Sequence, residues 1–381
     1  MTDNRNDPRP AVLAIDGGNS KTDVALVADD GRVLASVRGP GVSHEDFGLE
    51  EAMRRLGEIV QAAAGRAGRP GSDGLVARHT SACLAGADLP EEEAMLTAAI
   101  QRQGWSQTAA VANDTFAVLR AGLTPGEGEP PWGIAVTCGA GINCVGVAPD
   151  GRTTRFLAFG ALSGDWGGGL GLGTQTVWHA IRAEDGRGEP TELRAAVAAF
   201  YGLPSMHDVA VAFHLGTLGE DDLIRLPAVL FAAAEAGDAV AASLVERQAE
   251  EVCAMAVTAI SRLGLDASQD TKEIPVILGG GVLEARNPLL TGAITRRLAA
   301  SASTAVVRIV DAPPVTGAAL LGLDHLGAGP TAESKLRASY DRRVSEPARC
   351  SRRPAPATLL TRRWFCSPKT VTRSSPQIPT T

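Results

Sequence analysis

Asp16-Gly17-Gly18-Asn19-Ser20-Lys21-Thr22-Asp23 decides the fold of this 381-residue chain. An apolar run, Ala11 to Ile15, leads into it, and a second β-like run, Val24 to Ala28, leads out. Asp29-Asp30-Gly31 is a hairpin-turn signal, and a third strand is expected over Arg32 to Val37. The glycines therefore sit at a sharp bend between two antiparallel strands. Gly17 and Gly18 open backbone angles closed to other residues and let a ligand approach the main chain. Ser20 and Thr22 add hydroxyl donors, and Lys21 adds a cation. The bend from Gly17 through Asn19 to Thr22 thus presents a nest of N–H groups, which is an anion site. Asp16, at the strand end, is placed to hold Mg²⁺ through water, since this ion prefers one or two carboxylates plus phosphates. A plain hairpin turn has the same composition, so this stretch alone leaves both readings open.

The bend matches neither common glycine motif. Gly-x-x-x-x-Gly-Lys-Ser/Thr is missing, and no helix follows, as a dinucleotide fingerprint would require. What raises the phosphate reading is recurrence. Gly133 to Thr137 is an apolar strand, Cys138-Gly139-Ala140-Gly141 a tight glycine bend, and Ile142 to Ala148 a strand. Pro149-Asp150-Gly151 then turns into a further strand, Arg152 to Ala158. Gly17 to Gly31 spans 14 residues and Gly139 to Gly151 spans 12, so one unit occurs twice. Two such hairpins facing across a cleft could hold the two ends of a triphosphate; chance repetition of a hairpin is the alternative.

Length and composition suit two globular domains with ample core. Net charge is −7, which gives no general reason to expect nucleic-acid binding. Six cysteines are scattered without a Cys-x-x-Cys pair, so neither a zinc site nor a disulfide framework is indicated. The polar N-terminus lacks a signal core, and no run approaches a membrane span, so a cytoplasmic protein is expected. Charge is uneven: from Thr331 onward there are eleven Lys/Arg against three Asp/Glu. Residues 343–381, rich in Arg, Pro, Ser and Thr, are expected to be a disordered basic tail.

Between the repeats, helices are expected over Glu50 to Ala64 and Pro90 to Gln101, and a buried strand over Ser81 to Ala85 that ends in Gly86-Ala87-Asp88. A short strand, Ala109 to Ala112, stops at Asn113-Asp114, and the helix Thr115 to Ala121 follows. The proline- and glycine-rich stretch Thr124 to Pro131 separates domains 10–123 and 132–330. Gly164-Asp165-Trp166-Gly167-Gly168-Gly169 precedes a helix expected from Thr174, and the pattern stays helical to about residue 265. A strand, Ile274 to Leu278, ends at Gly279-Gly280-Gly281. A helix from near Asn287, a strand Ala305 to Val310 and a helix Val315 to Leu326 complete the pattern.

Taken together, these blocks over residues 10–330 resemble the BadF/BadG/BcrA/BcrD-type ATPases, in particular their N-acetylglucosamine kinase branch. The resemblance rests on Asp16 to Thr22, Asn113-Asp114, Gly139-Ala140-Gly141-Ile142-Asn143-Cys144, Gly164-Asp165-Trp166-Gly167 and Gly279-Gly280-Gly281-Val282. It implies an α/β fold of two actin-like ATPase domains, ribonuclease H-like, with ATP and Mg²⁺ in the cleft and a helical insertion near 174–265 in the second domain. Gly17 to Thr22 would be the first phosphate loop and Gly139 to Asn143 the second, with Gly279 to Gly281 beside adenine and ribose. Asp114 falls at the family's catalytic aspartate. An aspartate at a strand–helix junction suits a base that accepts a hydroxyl proton, and equally suits a helix N-cap. Ser43, His44, Asn113, Gly164, Asp165 and Trp166 would face the sugar.

Two departures leave the acceptor open. Relatives usually read Gly-Thr-Gly-Ser in the second loop and Gly-Asp-Glu-Gly-Ser-Gly in the later block. Here Ala140 and Ile142 remove two hydroxyls, Trp166 stands for the Glu and Gly168 for the Ser. The expected function is an ATP-dependent kinase for an amino sugar, N-acetylglucosamine at its 6-hydroxyl. Two competing readings are an ATPase activator of a dehydratase or reductase, which holds an iron–sulfur cluster through cysteines, and a catalytically silent sugar sensor. Cys138 and Cys144 look unsuited to the first, and the short polar N-terminus leaves no room for the DNA-binding helices of the second. The expected partner is a small-molecule sugar, with no nucleic acid and no membrane; a homodimer is left open.

Overall fold

The computed structural model describes residues 10–68, 75–124, 130–266 and 273–344. Its frame is two five-stranded sheets of the same topology. The first contains β1 (Val12–Gly17), β2 (Lys21–Val27), β3 (Val33–Pro40), β4 (Ala77–Leu84) and β5 (Ser106–Asn113), in the order β3-β2-β1-β4-β5. The second contains β6 (Gly133–Cys138), β7 (Ile142–Val147), β8 (Thr153–Arg155), β9 (Ile274–Gly279) and β10 (Ala305–Ile309), in the order β10-β9-β6-β7-β8. In each sheet the first three strands form an antiparallel meander, and the last two run parallel to the first. The sequence repeat is therefore a structural repeat. β1 is buried along its whole length, which is why it reads as a continuous apolar run rather than an alternating one. β8 is shorter than its sequence pattern, because the backbone leaves the sheet at Phe156 and turns at Ala158, a non-glycine residue with φ 58°.

α1 (His44–Phe47) and α2 (Leu49–Arg66) follow the first meander, and α3 (Pro90–Arg102) follows β4. Met53, Leu56, Ile59 and Val60 of α2 are buried in one core with Leu13, Ile15 and Val24 of the first sheet. α4 (Asp114–Gly122) leaves β5 and packs Val118, Leu119 and Ala121 on Ala135, Val145 and Ile277 of the second sheet. Between β8 and β9 the chain is helical: α5 (Gly168–Glu184), α6 (Leu193–Tyr201), α7 (Met206–His214), α8 (Glu220–Leu223), α9 (Pro227–Glu235) and α10 (Ala239–Leu263). α5 starts six residues before the expected Thr174, since glycines 168 to 173 are tolerated where the helix packs against backbone. α11 (Gly281–Glu284) and α12 (Pro288–Ser301) follow β9, with Asn287 capping α12 through Leu289 and Leu290 N–H. α13 (Pro314–His325) returns to the first sheet, where Val315, Ala319 and Leu323 join the core of Val12 and Ala14. It crosses α4 closely: a Cβ on Gly317 would collide with the Ala117 carbonyl.

A last helix, α14 (Pro330–Val344), was not anticipated from the sequence. Its polar, basic face hides a buried stripe of Ala332, Leu336 and Tyr340 against the first lobe. Glu333 pairs with Arg120 of α4 (2.7 Å), whose guanidinium also pairs with Asp324 (2.7 Å) and is almost fully buried. Arg337 donates to the Ala121 carbonyl at 2.7 Å and also to Leu123 O. All but the first two residues of the expected tail lie outside the described residues. Among the described residues, no single helix is long and apolar enough to cross a membrane.

Candidate active site

The two bends are built alike. In the first, Gly18 N–H donates to Lys21 O (2.9 Å) and closes the turn. In the second, Gly139 N–H donates to Gly141 O (3.0 Å). Among the described residues, the amides of Asn19 and Ser20 in the one, and of Ala140 and Gly141 in the other, donate to no backbone carbonyl. Asn19, Ser20, Lys21, Ala140 and Gly141 are all exposed. Each bend is thus an open array of N–H donors, the arrangement an anion requires.

The glycines serve a purpose other than the one their sequence suggests. Gly17, Gly18, Gly139 and Gly141 all keep ordinary negative φ. Gly17 is required by packing, since a Cβ there would lie 2.6 Å from Leu84 Cδ2. Gly139 and Gly141 face open space. Behind each bend stands a further glycine. A Cβ on Gly41 would overlap the Asn19 carbonyl, and one on Gly168 would meet the Gly141 carbonyl at 2.6 Å. The start of α5 also ties the second bend down: Gly169 N–H donates to Gly139 O (2.7 Å) and Leu170 N–H to Ala140 O (2.9 Å). Their carbonyls engaged, the bend's amides point away. Gly280, at φ 86°, packs its Cα against Cys138 and Gly139, while Gly281 is exposed beside it.

Asn113 and Asp114 divide the roles the sequence left open. Asn113 is the N-cap of α4: its Oδ1 accepts from Thr115 N–H at 2.9 Å. Its Nδ2 donates to Asp88 (2.8 Å), and its Oδ1 also accepts from Asn143 Nδ2 (3.2 Å), which joins it to the second bend. Asp114 is the first helical residue and is released from capping. Burial raises its pKa, and only Thr115 and local amides offset this. Asp16 is buried, and its pKa is pushed up to about 7 by burial first, then by the charges of Asp114 and Asp23. Asp23 is held by Arg38 (2.7 Å). Asp88 is likewise raised to about 7 by burial and by Asp114. Among the described residues, no cluster of three or more His, Cys, Asp or Glu side chains is placed to hold a metal ion, so Asp16 would offer a divalent cation a single carboxylate, the case that leaves the rest of an Mg²⁺ shell to water and phosphate.

Asp88, the partner of Asn113, borders a cavity of about 400 Å³, whose lining also includes Arg155, Phe156, Ser163, Asp165 and Arg262. Asp165 accepts from Ser163 Oγ at 2.6 Å and lies on this wall, next to exposed Gly164. Arg155 reaches across to Glu93 (3.0 Å), whose Oε1 also accepts from Asn113 N–H (3.2 Å). Trp166 packs against the second lobe's core, with the Arg247 guanidinium 5.4 Å from its ring centre. Ser43 is buried with an unpartnered hydroxyl, and His44 abuts Gly86. Asp88, Glu93, Arg155 and Arg262 were missed from sequence. Asp88 had a signal: like Asp114, it follows the carboxyl end of a parallel strand, in its case the buried β4.

Two meander-based sheets of one topology, with glycine bends at the β1–β2 and β6–β7 turns, define an actin-like ATPase fold. The chain belongs to the BadF/BadG/BcrA/BcrD ATPase family, whose model matches residues 13–322. It is 28% identical over 281 residues to the N-acetylmuramic acid/N-acetylglucosamine kinase of Clostridium acetobutylicum, which covers 73% of this chain and 87% of that one. It is 24% identical over 318 residues to the N-acetyl-D-glucosamine kinase of Dictyostelium discoideum, covering 82% and 97%. Among solved structures, the proposed N-acetylglucosamine kinase of Chromobacterium violaceum has the same fold, with TM-score 0.64 at 23% identity over 83% of this chain and 99% of that one.

Proposed function

We propose that this chain is an ATP-dependent kinase that phosphorylates an amino sugar, with N-acetylglucosamine at its 6-hydroxyl as the acceptor. The observation that carries this reading is Asp114: it is freed from capping by Asn113, which bonds Asn143 of the second bend and Asp88 on the cavity wall, and its charge acts on Asp16 at the end of β1. The names of the two curated relatives support the acceptor class.

In this reading the amides of Gly17 to Thr22, with the Lys21 cation, and those of Gly139 to Asn143 hold the phosphates of ATP. Gly279 to Gly281 border the nucleoside. Ser43, His44, Asn113, Gly164, Asp165 and Trp166 lie on the acceptor side. Asp16 would hold Mg²⁺ through water, and the ion would supply neutralisation of phosphate charge. Asp114 accepts the proton of the attacking hydroxyl as its oxygen bonds the γ-phosphorus, and the bond to the bridging oxygen breaks to release ADP. Its raised pKa makes it a stronger proton acceptor than an exposed aspartate. Residues 10–123 and 132–330, the latter with the helical insertion at 174–265, would act as two lobes closing on the cleft. Dependence on ATP argues for a cytoplasmic enzyme.

The alternative, an activator with a cysteine-held cluster, is disfavoured by burial. Cys138 and Cys144 are both fully buried, and burial pushes the Cys138 thiol up to about 12. The test is ADP release by the purified full chain across a panel of amino sugars. Sugar-independent ADP production, or none with any sugar, would sink the kinase reading.

A further inference from the structure

The junction between β5 and α4 is held from the second sheet. Asn143 Nδ2, on β7, donates to Asn113 Oδ1 at 3.2 Å, and the hydroxyls of Thr115 and Thr137 lie 3.2 Å apart. A further link is charged and indirect. Arg155, at the end of β8, pairs with Glu93 Oε1 of α3 at 3.0 Å, and the same oxygen accepts from Asn113 N–H at 3.2 Å. One carboxylate oxygen thus serves a backbone amide of the first sheet and a guanidinium of the second. Arg155 is itself held: its carbonyl accepts from Arg262 Nη1 at 3.3 Å, and its guanidinium lies 5.4 Å from the ring centre of Phe116 on α4. The side chains are only 28% (Arg155) and 18% (Glu93) exposed, so solvent screens the pair less than an open surface pair.

Asp114 is the residue after Asn113, and the backbone turn at Asn113 sets the direction in which its carboxyl leaves the strand. The Asn113 side chain is occupied by Thr115, Asp88 and Asn143, which leaves its N–H to Glu93. We propose that Arg155 is a positioning residue for phosphoryl transfer: through Glu93 it fixes the Asn113 amide, and with it the aim of Asp114. The inference rests on the kinase reading and adds to it a residue of the second sheet that acts through the first.

The experiment is a double-mutant cycle on the full chain with Arg155→Met and Glu93→Met. It reads kcat and KM for ADP release with N-acetylglucosamine, ATP affinity by calorimetry, and melting, with rates taken where every variant is folded. A misplacement of about 1 Å can cost on the order of a hundredfold, so Arg155→Met should lose about ten- to a hundredfold in kcat with ATP affinity unchanged. Glu93→Met should lose at least as much, and adding Arg155→Met to it should cost nothing further. Exchanging the charges, Glu93→Arg with Arg155→Glu, restores an ion pair but sets a donor against Asn113 N–H, so kcat should stay low. Arg155→Lys keeps a cation at the carboxylate and should recover most of the rate; it serves if the Met variant melts early. Losses that add in the double variant, a rise in sugar KM with kcat kept, or recovery of kcat in the exchanged pair overturns the inference and leaves the kinase reading standing. A wild type without sugar-dependent ADP release overturns both.

Discussion

Replacing Asp114 by Asn separates the chemistry from the architecture. A positioned base contributes about 10²–10⁴-fold, so the variant should lose that factor in sugar-dependent kcat, a barrier increase of roughly 3–5 kcal/mol. The fold should not pay for it. Asn113, not Asp114, caps α4, so the helix keeps its N-terminal hydrogen bond to Thr115. The side chain's contacts are local, with Thr115 Oγ1 at 3.4 Å and the neighbouring backbone amides, and the Oδ1 of an amide can keep them. Removing the Asp114 charge also relieves Asp16 and Asp88, both raised by it, so the melting temperature should hold or rise slightly. ATP affinity should change little, because the bends lie on other residues. The assay is sugar-dependent ADP production beside calorimetric ATP affinity and thermal melting. A variant that phosphorylates its sugar within a few-fold of wild type would refute the reasoning, and Asp165 would become the candidate base. A variant that loses activity together with several degrees of stability would show that Asp114 is structural.

Gly141→Val adds atoms only into open space, so it should weaken ATP binding tenfold or more with an unchanged melting curve; unchanged affinity in calorimetry would remove the second bend from the phosphate site. Asp16 has a folded pKa raised from 3.8 to about 7, so its carboxyl costs stability progressively as pH climbs through that window. Asp16→Asn should therefore stabilise the ligand-free protein by about 2–4 kcal/mol at pH 8 and hardly at pH 4, read by melting at both pH values; equal effects at the two would mean that burial, not charge, dominates. Removing residues after Val344 should leave melting temperature and ATP affinity intact. Removing α14 as well uncovers the cluster of Val315 and Leu323 and strips Glu333 from buried Arg120, at a cost of about 3–5 kcal/mol; equal melting of the two truncations would make α14 an ornament.

Much of the fold was legible because its signals are local. The buried parallel strands, the Asp-Gly turns and the two bends announce themselves within eight residues each, and their repetition fixed the two-sheet frame. α14 escaped because its evidence is not local. Its apolar stripe is three residues in a basic segment, and it is stable only against α4 and α13, more than two hundred residues away for Arg120. The site was half legible. Asn113 reaches the second bend through Asn143, and Asp114 acts on Asp16 at the end of β1, pairings among blocks that the resemblance had put in one site. Which of Asn113 and Asp114 caps the helix depends on side-chain direction, which spacing does not encode. Arg155 and Arg262 gave no pattern at all, because a wall made from a strand end and a helix end has no period.

The glycine behind the second bend has a mechanical consequence. Gly168 touches the Gly141 carbonyl, and three residues before it stands Asp165 on the wall of the acceptor cavity. The stretch between them contains Gly167 at φ 109°, and Gly168 N–H is pinned to Gln248 at 3.0 Å. A displacement of Asp165 is therefore passed through a short, pinned lever to the backbone that would hold phosphate. The wall proposed for the acceptor and the bend proposed for phosphate are thus joined by three residues of backbone, so the two halves of the proposed site share one stretch of chain.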